Sequence, residues 1–327
     1  MSDVFLPEPR FVDTDGARLA VFEVVPEKIT RDVCVVLCHG FPELAASWRH
    51  QLQPIADAGF HVLAPDMRGY GQSTGPEDPR KYSIAETTAD VAELIKDAGY
   101  EKAVVVGHDF GGMVSWSMPY LRPDSVAGVI TLNTPFGFSE HNPIELYEQV
   151  YGPRNYVAYF QTQECEDLLD RDPAATFLFF MRRDTGNGTN LSRSGQHDPE
   201  SMSYIHWLHD DESTWPGEVV MSPEELQYYA NAYAHSGFRG GLNWYRSILR
   251  NWEVHTERFP DGVPQVDVPA LMIAARRDPI CHPMLSNNLL QYFETFERRI
   301  IDTGHWTQLE DPDTTTAMIV EWLDRHF

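Results

Sequence analysis

The feature that most constrains the fold is the segment 107–112, which reads Gly-His-Asp-Phe-Gly-Gly. It directly follows the apolar run 103–106 and directly precedes a stretch with helical character. Glycines two before and two and three after Asp109 allow a strand to turn sharply into a helix, because backbone and helix come close together there. The apical side chain then lies beside a helix N-terminus, which stabilises negative charge. The pattern predicts a nucleophile elbow at Asp109, although an ordinary tight turn with an Asp N-cap would show the same residues.

Short β-branched runs recur along the chain with helix-length spacers between them. This pattern is typical of parallel strands joined by crossover helices that cover both faces of the sheet. The runs occupy residues 33–38, 61–64, 103–106, 129–132, 270–273 and 299–301. The sequence therefore predicts an α/β fold with a mostly parallel central sheet flanked by helices.

The succession of strands stops between about Phe138 and Arg258, where aromatic and helical segments alternate with loops. We interpret residues 139–258 as an inserted helical cap (lid) domain, and residues 1–138 with 259–327 as the core domain. This division makes the chain one α/β domain with an insertion, and 327 residues suffice for an ample core.

Local signals predict three features within the insertion. Ser222-Pro223-Glu224-Glu225 is a capping box with proline at the first helical position, so a helix should begin there and end near Gly237. A second helix should follow Gly241, with one apolar face made of Leu242, Tyr245, Leu249 and Trp252. Residues 184–203, rich in Gly, Asn, Ser and Arg, should form an exposed loop.

The charge of the chain limits its partners. With 49 Asp and Glu against 25 Lys and Arg, the net charge is −24, so a nucleic-acid backbone or an anionic membrane would be repelled. We therefore expect a small uncharged molecule as partner, although the acidity is also explained by a solvated surface alone. The first residues contain neither a basic region nor a long apolar run, which predicts a cytoplasmic protein without a membrane span. The sequence leaves open a monomer or a homodimer.

The four cysteines are predicted to be packing residues. They form no CxxC pair, and Cys34 and Cys38 lie in an apolar run that indicates a buried strand. Neither disulfides nor metal ligands are expected, and the candidate chemistry requires no metal or organic cofactor.

Two further residues extend Asp109 to a predicted Asp-His-Asp triad. His305 follows the last strand run, so it should lie at the same sheet edge as Asp109 and serve as general base. Asp278 follows the preceding strand and can orient the imidazole while offsetting its developing charge. The nucleophile, the acid and the base follow one another along the chain in that order, which is the order found in folds with this type of elbow. A core histidine and a turn aspartate are the structural alternatives.

Backbone amides near the elbow are predicted to form an oxyanion hole. His39-Gly40-Phe41-Pro42 follows the first strong strand, where a loop N–H can face the nucleophile, so the amides of Phe41 and Phe110 are the candidate donors. A turn set by Gly-x-Pro is the alternative. We interpret His39 as structural, and Asn133 as occupying the alternative acid position without a carboxylate.

The chain resembles the α/β-hydrolase-fold epoxide hydrolases, in particular the hydrolase domain of soluble epoxide hydrolase, over nearly its whole length. Several of the matching motifs are common in the superfamily, whereas the one around Asn243-Trp244-Tyr245 is specific. The matching residues are His39-Gly40-Phe41-Pro42, Asp66-Met67-Arg68-Gly69-Tyr70-Gly71, Gly107-His108-Asp109, Leu132-Asn133-Thr134-Pro135, Ser236-Gly237-Phe238-Arg239-Gly240, Leu242-Asn243-Trp244-Tyr245-Arg246 and Gly304-His305-Trp306-Thr307-Gln308.

The resemblance implies two cap tyrosines that donate hydrogen bonds to the epoxide oxygen. Matching of the cap motifs places them at Tyr156 and Tyr245, with Tyr159 as an alternative for the first. Phenols suit this role because they can supply a proton to a developing alkoxide while remaining neutral. Core packing is the alternative for both tyrosines.

The implied reaction converts a small apolar epoxide and water into a vicinal diol through an alkyl-enzyme ester on Asp109. Phe41, Phe110, Phe160 and Trp306 are the predicted substrate contacts. Several aromatic and Met residues of the insertion suggest an apolar pocket: Phe160, Phe177, Phe179, Phe180, Met181 and Trp207. Such residues at helical spacing more often pack in the core, which is the alternative.

One residue departs from the family pattern. The family usually has Trp after the nucleophile, whereas this chain has Phe110. Haloalkane dehalogenases share the Asp nucleophile and use that indole N–H to hold the departing halide, so Phe110 weighs against this alternative function. A non-catalytic small-molecule binding protein of the same fold is the other alternative.

Overall fold

The computed structural model describes residues 6–137, 139, 141–183, 199–262, 264–286 and 289–327. Within them, eight strands form one sheet in the order β1-β2-β4-β3-β5-β6-β9-β10. From β4 to β10 neighbouring strands run parallel, whereas β2 pairs antiparallel with both β1 and β4. The strands are β1 (Arg10–Thr14), β2 (Ala17–Val24), β3 (Cys34–Cys38), β4 (Val62–Pro65), β5 (Ala103–His108), β6 (Val126–Leu132), β7 (Arg182–Arg183), β8 (Glu218–Val219), β9 (Ala270–Ala275) and β10 (Phe296–Ile301).

Helices lie between the strands and follow the last one. The helices are α1 (Arg49–Asp57), α2 (Ile84–Asp97), α3 (Phe110–Leu121), α4 (Pro143–Tyr151), α5 (Tyr156–Tyr159), α6 (Gln163–Arg171), α7 (Pro173–Phe180), α8 (Pro223–Ser236), α9 (Arg239–Arg246), α10 (Ile248–Arg258), α11 (Thr307–Glu310) and α12 (Pro312–His326). Helices α4 to α10 all fall between β6 and β9 in the chain. The predicted mostly parallel sheet with flanking helices is confirmed.

The central strands bury both of their faces. Alternate residues of β3 belong to different apolar clusters: Cys34, Val36 and Cys38 pack with helices α2 and α3, whereas Val35 and Leu37 pack on the other face. A strand buried on both faces must be continuously apolar, which is why the parallel strands appear in the sequence as unbroken β-branched runs. All four cysteines are free, and Cys34 and Cys38 are core residues as predicted.

The sheet topology brings the candidate residues to one edge. Parallel strands end on the same side, and β5, β6, β9 and β10 are consecutive neighbours in the sheet. Asp109 directly follows β5, Asn133 directly follows β6, and Asp278 comes three residues after β9. His305 lies in the loop between β10 and α11, so four separate segments converge at this carboxyl edge.

Several local predictions are corrected or refined by the structure. The capping box at Ser222 is present and α8 ends at the residue before Gly237, as predicted. The second helix is instead two helices that meet at Ser247, and Leu249 is exposed rather than part of a buried apolar face. The insertion also contains the two-residue ladder of β7 and β8, where no strand was predicted.

The predicted exposed loop at 184–203 falls largely outside the described residues. Residues 184–198 are not described, whereas Ser203 lies within a 3-10 helix, Pro199–His209, and is buried. No helix among the described residues has the length and apolar character needed to cross a membrane.

Candidate active site

Asp109 occupies a strained turn between β5 and α3. Its backbone has φ 53° and ψ −119°, a conformation that non-glycine residues rarely adopt. Neighbouring glycines make this turn possible by close approach: a Cβ on Gly107 would lie 2.0 Å from the carbonyl oxygen of Gly111, and one on Gly111 would lie 2.0 Å from that of Cys38. The side chain of Asp109 is 16% exposed, so the strand–turn–helix presents a carboxylate at a largely enclosed sheet edge.

The two oxygens of the Asp109 carboxylate have different surroundings. Oδ1 accepts a hydrogen bond from the backbone N–H of Phe41 at 2.9 Å. Oδ2 faces Nε2 of His305 at 3.8 Å. Phe110 is the first residue of α3, and the N–H groups of a first helical turn have no partner within their own helix. The structure thus brings the Phe41 amide to the carboxylate, and the Phe110 amide is that of the next residue in the chain.

His305 is oriented by Asp278. Nδ1 of the imidazole lies 2.8 Å from Oδ2 of Asp278, whose other oxygen accepts from the N–H groups of Ile280 and Cys281 at 2.8 and 2.9 Å. Burial alone would lower the pKa of His305, but the charge and hydrogen bond of Asp278, with the charge of Asp109, raise it to about 9. Burial alone would raise the pKa of Asp278, yet His305 and the two amides lower it. The resting pair is therefore an imidazolium beside a carboxylate.

Asn133 holds the acid and the base together. It has a positive φ of 64°, and its Nδ2 donates to Oδ2 of Asp278 at 2.7 Å and to the carbonyl oxygen of His305 at 2.8 Å. Asn133, which occupies the alternative acid position without a carboxylate, thus donates a hydrogen bond to the carboxylate of Asp278.

A buried ion pair lies beneath the triad and was not predicted from the sequence. Nδ1 of His108 lies 2.7 Å from Oε2 of Glu43, and Nε2 lies 2.7 Å from the carbonyl oxygen of His305. Both side chains are fully buried. Burial alone would raise the pKa of Glu43, but His108 lowers it to about 2. The contacts of His108 with Glu43 and with the carbonyl oxygen of His305 fix the backbone that carries His305.

His39 lies in a purely structural setting. Its Nε2 accepts from the N–H of Met67 at 2.9 Å, which leaves Nδ1 to donate to the carbonyl oxygen of Gly40 at 2.9 Å. Burial lowers its pKa to about 4, so the ring is neutral. This tautomer ties the loop of Phe41 to the end of β4.

Tyr156 and Tyr245 lie together near the elbow, whereas Tyr159 does not join them. The rings of Tyr156 and Tyr245 are 6.0 Å apart and nearly perpendicular, and both are buried. Burial raises the pKa of both hydroxyls well above the ordinary value, and for Tyr245 the charge of Asp109 adds to this. The ring of Tyr159 instead lies 4.4 Å from that of His206, and its hydroxyl donates to Glu164.

Aromatic side chains surround these tyrosines. The ring of Phe110 packs edge-on against Tyr245 at 4.6 Å, and Phe41 does so at 5.3 Å. Phe160 is fully buried, 4.5 Å from the ring of Tyr245. Three of the four predicted substrate contacts thus adjoin one tyrosine.

A cavity of about 110 Å³ opens beside His305. Trp306, the fourth predicted contact, lines it, and so do Phe179, Phe180, Tyr204 and Trp207. Phe41, Phe110 and Phe160 are not among its lining residues. The aromatic and Met residues of the insertion therefore divide between pocket lining and core packing. Those in the core, which are completely buried, are Phe160, Phe177 and Met181.

Two residues near the site carry no sequence signal that would have identified them. Tyr204 is partly buried near Asp109, and burial together with the charge of Asp109 raises the pKa of its hydroxyl. Cys281 lies close to Asp278 and Asp109, and their charges add to burial in raising the pKa of its thiol. Both fall outside any motif, so only the folded chain places them here.

Comparisons with known proteins identify the family of the chain. Residues 33–312 match the family described as alpha/beta hydrolase fold. Epoxide hydrolase A of Mycobacterium tuberculosis is 38% identical over 326 residues, which covers 97% of each chain. Bifunctional epoxide hydrolase 2 of Sus scrofa is 35% identical over 308 residues. This match covers 89% of the present chain and 51% of that longer protein.

Solved structures give the same result. Epoxide hydrolase A from Mycobacterium thermoresistibile has a TM-score of 0.84 and 35% identity, covering 97% of this chain and 98% of that one. Epoxide hydrolase I of potato, Solanum tuberosum, has a TM-score of 0.79 and 27% identity, covering 97% and 99%. The predicted fold class and the predicted resemblance to epoxide hydrolases are both confirmed.

Proposed function

Because the chain belongs to the α/β-hydrolase fold family, and within it to the epoxide hydrolases, we propose that it converts an apolar epoxide to a vicinal diol through an ester on Asp109. The observation that carries this proposal is the convergence of a carboxylate at the elbow with two buried phenols. The rings of Tyr156 and Tyr245 are 6.0 Å apart, and Asp109 is close enough to Tyr245 to raise its pKa. A nucleophile and two neutral donors are what ring opening requires.

The first step is attack of the carboxylate on an epoxide carbon. The N–H of Phe41 holds Oδ1 at 2.9 Å, so Oδ2 is the attacking oxygen. The C–O bond of the epoxide breaks, and the oxygen that leaves takes a proton from Tyr156 or Tyr245. Their raised pKa keeps both phenols protonated until an alkoxide develops. The product of this step is an alkyl ester on Asp109.

The second step is hydrolysis of that ester. His305 removes a proton from water, which attacks the ester carbonyl carbon, and Asp278 stabilises the imidazolium that forms. The amides of Phe41 and Phe110 stabilise the oxyanion on Oδ1. The diol leaves with Oδ2, which takes the proton held by His305, and the proton lost by the re-formed Asp109 carboxyl returns to the tyrosinate. Esterification removes the charge of Asp109, which is one cause of the raised pKa of His305. The pKa of His305 therefore falls, and a larger fraction of the imidazole is neutral when ester hydrolysis requires a base.

Residues 139–258 act as a cap over the carboxyl edge of the sheet. They supply both tyrosines, and they contact the core closely at several points, of which two adjoin the helix that carries Tyr245. Nε1 of Trp244 donates to the carbonyl oxygen of Arg68 at 3.0 Å. A Cβ on Gly240 would lie 1.8 Å from the carbonyl oxygen of Gly69, so only glycine permits this contact. The cap therefore holds the phenols in a fixed position over Asp109.

The haloalkane dehalogenase alternative lacks its halide donor. Phe110 packs its ring against Tyr245 and Trp244 and has no side-chain N–H to offer a departing halide. The same aromatic surroundings favour an apolar substrate, because they offer dispersion contacts and few hydrogen bonds. A halide-release assay on haloalkanes, run beside a diol assay on epoxides, separates the two reactions.

A single turnover in heavy-oxygen water tests the proposal. With enzyme in excess over epoxide, the label should enter the side chain of Asp109 and be absent from the diol, as read by mass spectrometry of the peptide and the product. The Asp109→Ala variant, which cannot form the ester, is the matched control. Label found in the first diol would mean that water attacks the epoxide directly, and the proposed covalent route would be wrong.

A further inference from the structure

Cys281 lies at the triad without any part in the reaction described above. It comes three residues after Asp278, and its backbone N–H supports the carboxylate of that residue at 2.9 Å. The other three cysteines of the chain are buried, whereas Cys281 is partly exposed. Its thiol is the cysteine sulfur that lies next to the triad.

The thiol completes a set of three potential metal ligands. An oxygen of Asp278, the sulfur of Cys281 and a nitrogen of His305 all lie within 4.8 Å of one another. Zn²⁺ binds sulfur at about 2.3 Å and nitrogen at about 2.1 Å, which places tetrahedral ligand atoms about 3.5 Å apart. Rotation of the Cys281 side chain can close most of the remaining gap, and water can occupy a fourth position.

The charges around this set favour a cation. Asp278 supplies one carboxylate, and the carboxylate of Asp109 lies 3.8 Å from Nε2 of His305. A thiolate, an imidazole and a carboxylate together are the donors preferred by Zn²⁺ and Cd²⁺, whereas Mg²⁺ and Ca²⁺ prefer oxygen alone.

We propose that Asp278, Cys281 and His305 form a binding site for a thiophilic divalent cation, Zn²⁺ or Cd²⁺, and that the bound cation inhibits the enzyme. The cation displaces the thiol proton of Cys281 and the proton on the coordinating nitrogen of His305, and both protons go to solvent. Asp278 then binds the cation instead of orienting the imidazole, and a ring bound to a dication is a weaker base. The inhibition rests on the function proposed for His305, whereas the binding does not.

Binding is tested with Cd²⁺ alone, because a sulfur-to-cadmium charge-transfer band in the ultraviolet reports the thiolate directly. We expect one equivalent to produce the band in the wild-type chain, and Ca²⁺ to produce none. Cys281→Ala should abolish the band and raise the dissociation constant measured by calorimetry by at least about tenfold, which is the lower end of the effect of losing even an outer-shell partner. An unchanged band in Cys281→Ala would overturn the proposed site.

Inhibition is tested with Zn²⁺ in a diol-formation assay. The Cys281→Ala and Cys281→Ser variants keep the backbone N–H that supports Asp278. Each should require at least about tenfold more Zn²⁺ than the wild-type chain for half inhibition of its own uninhibited rate. Equal sensitivity of the wild-type chain and both variants would show that inhibition arises elsewhere. Should no epoxide be turned over at all, the proposed function fails while the Cd²⁺ band still decides whether the site exists.

Discussion

Nδ1 of His305 lies 2.8 Å from Oδ2 of the fully buried Asp278. With the charge of Asp109, this contact raises the pKa of His305 to about 9, although burial opposes it. The resting enzyme therefore holds an imidazolium at neutral pH, which is the wrong protonation state for a general base. The proposed ester on Asp109 removes one of the negative charges that cause this, so the first step of the proposed mechanism prepares the base for the second.

The first prediction concerns the pH dependence of ester hydrolysis. A neutral His305 is needed, so the rate should rise with pH, and its midpoint should lie below 9 because Asp109 is uncharged in the ester. Single-turnover experiments over a range of pH, which separate decay of the ester from its formation, measure this midpoint. A midpoint no lower than the pKa of His305 measured in the free enzyme would mean that the charge of Asp109 has no influence on the base.

The second prediction concerns the base itself. His305→Gln keeps a polar side chain but removes the proton acceptor, so ester hydrolysis should slow by about 10²–10⁴-fold while ester formation persists. The ester should then accumulate to about one equivalent, visible as the mass of the substrate added to the peptide that contains Asp109. Free diol forming at the wild-type rate, with no added mass, would exclude His305 as the base.

The third prediction separates the two phenols from their neighbour. Tyr156→Phe and Tyr245→Phe each remove one donor to the epoxide oxygen, so ester formation should slow by about 10²–10³-fold in each variant. Tyr159→Phe is the matched control, because Tyr159 lies in the same short helix as Tyr156 but contacts His206 and Glu164. Rapid-quench measurement of ester formation checks this. A slow Tyr159→Phe beside a fast Tyr156→Phe would reverse the assignment.

The fourth prediction concerns the buried ion pair. Glu43→Gln removes a charge but little volume, and it leaves His108 without the carboxylate to which it is hydrogen-bonded, so the free energy of unfolding should fall by about 1.5–3 kcal/mol. Glu93→Gln is the control, because Glu93 pairs with Lys96 at the surface, where the loss should stay below about 1 kcal/mol. Urea unfolding measures both variants. Equal stability losses would indicate that the pair contributes no more than a surface contact.

The parallel strands and the elbow could be predicted because local sequence determines them. Strands buried on both faces must be continuously apolar, and the turn at Asp109 needs glycine where Gly107 and Gly111 stand. Strands β1 and β2 were missed because they pair antiparallel at the sheet edge and carry charged residues among the apolar ones.

The rest of the site depends on contacts between distant segments. Glu43 and His108 are 65 positions apart and belong to no shared motif, so nothing local indicates that they pair. The proposed choice of Tyr156 over Tyr159 depends on which side of a four-residue helix packs against Tyr245, and the sequence does not specify that side. The break at Ser247 similarly follows from tertiary contacts, because its hydroxyl donates to the carbonyl oxygen of Pro79.

The unequal surroundings of the two carboxylate oxygens of Asp109 have a consequence for the protein's own atoms. Oδ1, held by the N–H of Phe41, stays in place through the proposed cycle, whereas Oδ2 departs in the diol and an oxygen from water replaces it. The enzyme that ends a cycle is thus not atom for atom the enzyme that began it. In heavy-oxygen water each molecule should exchange one oxygen and keep the other, and labelled diol should first appear in the second turnover.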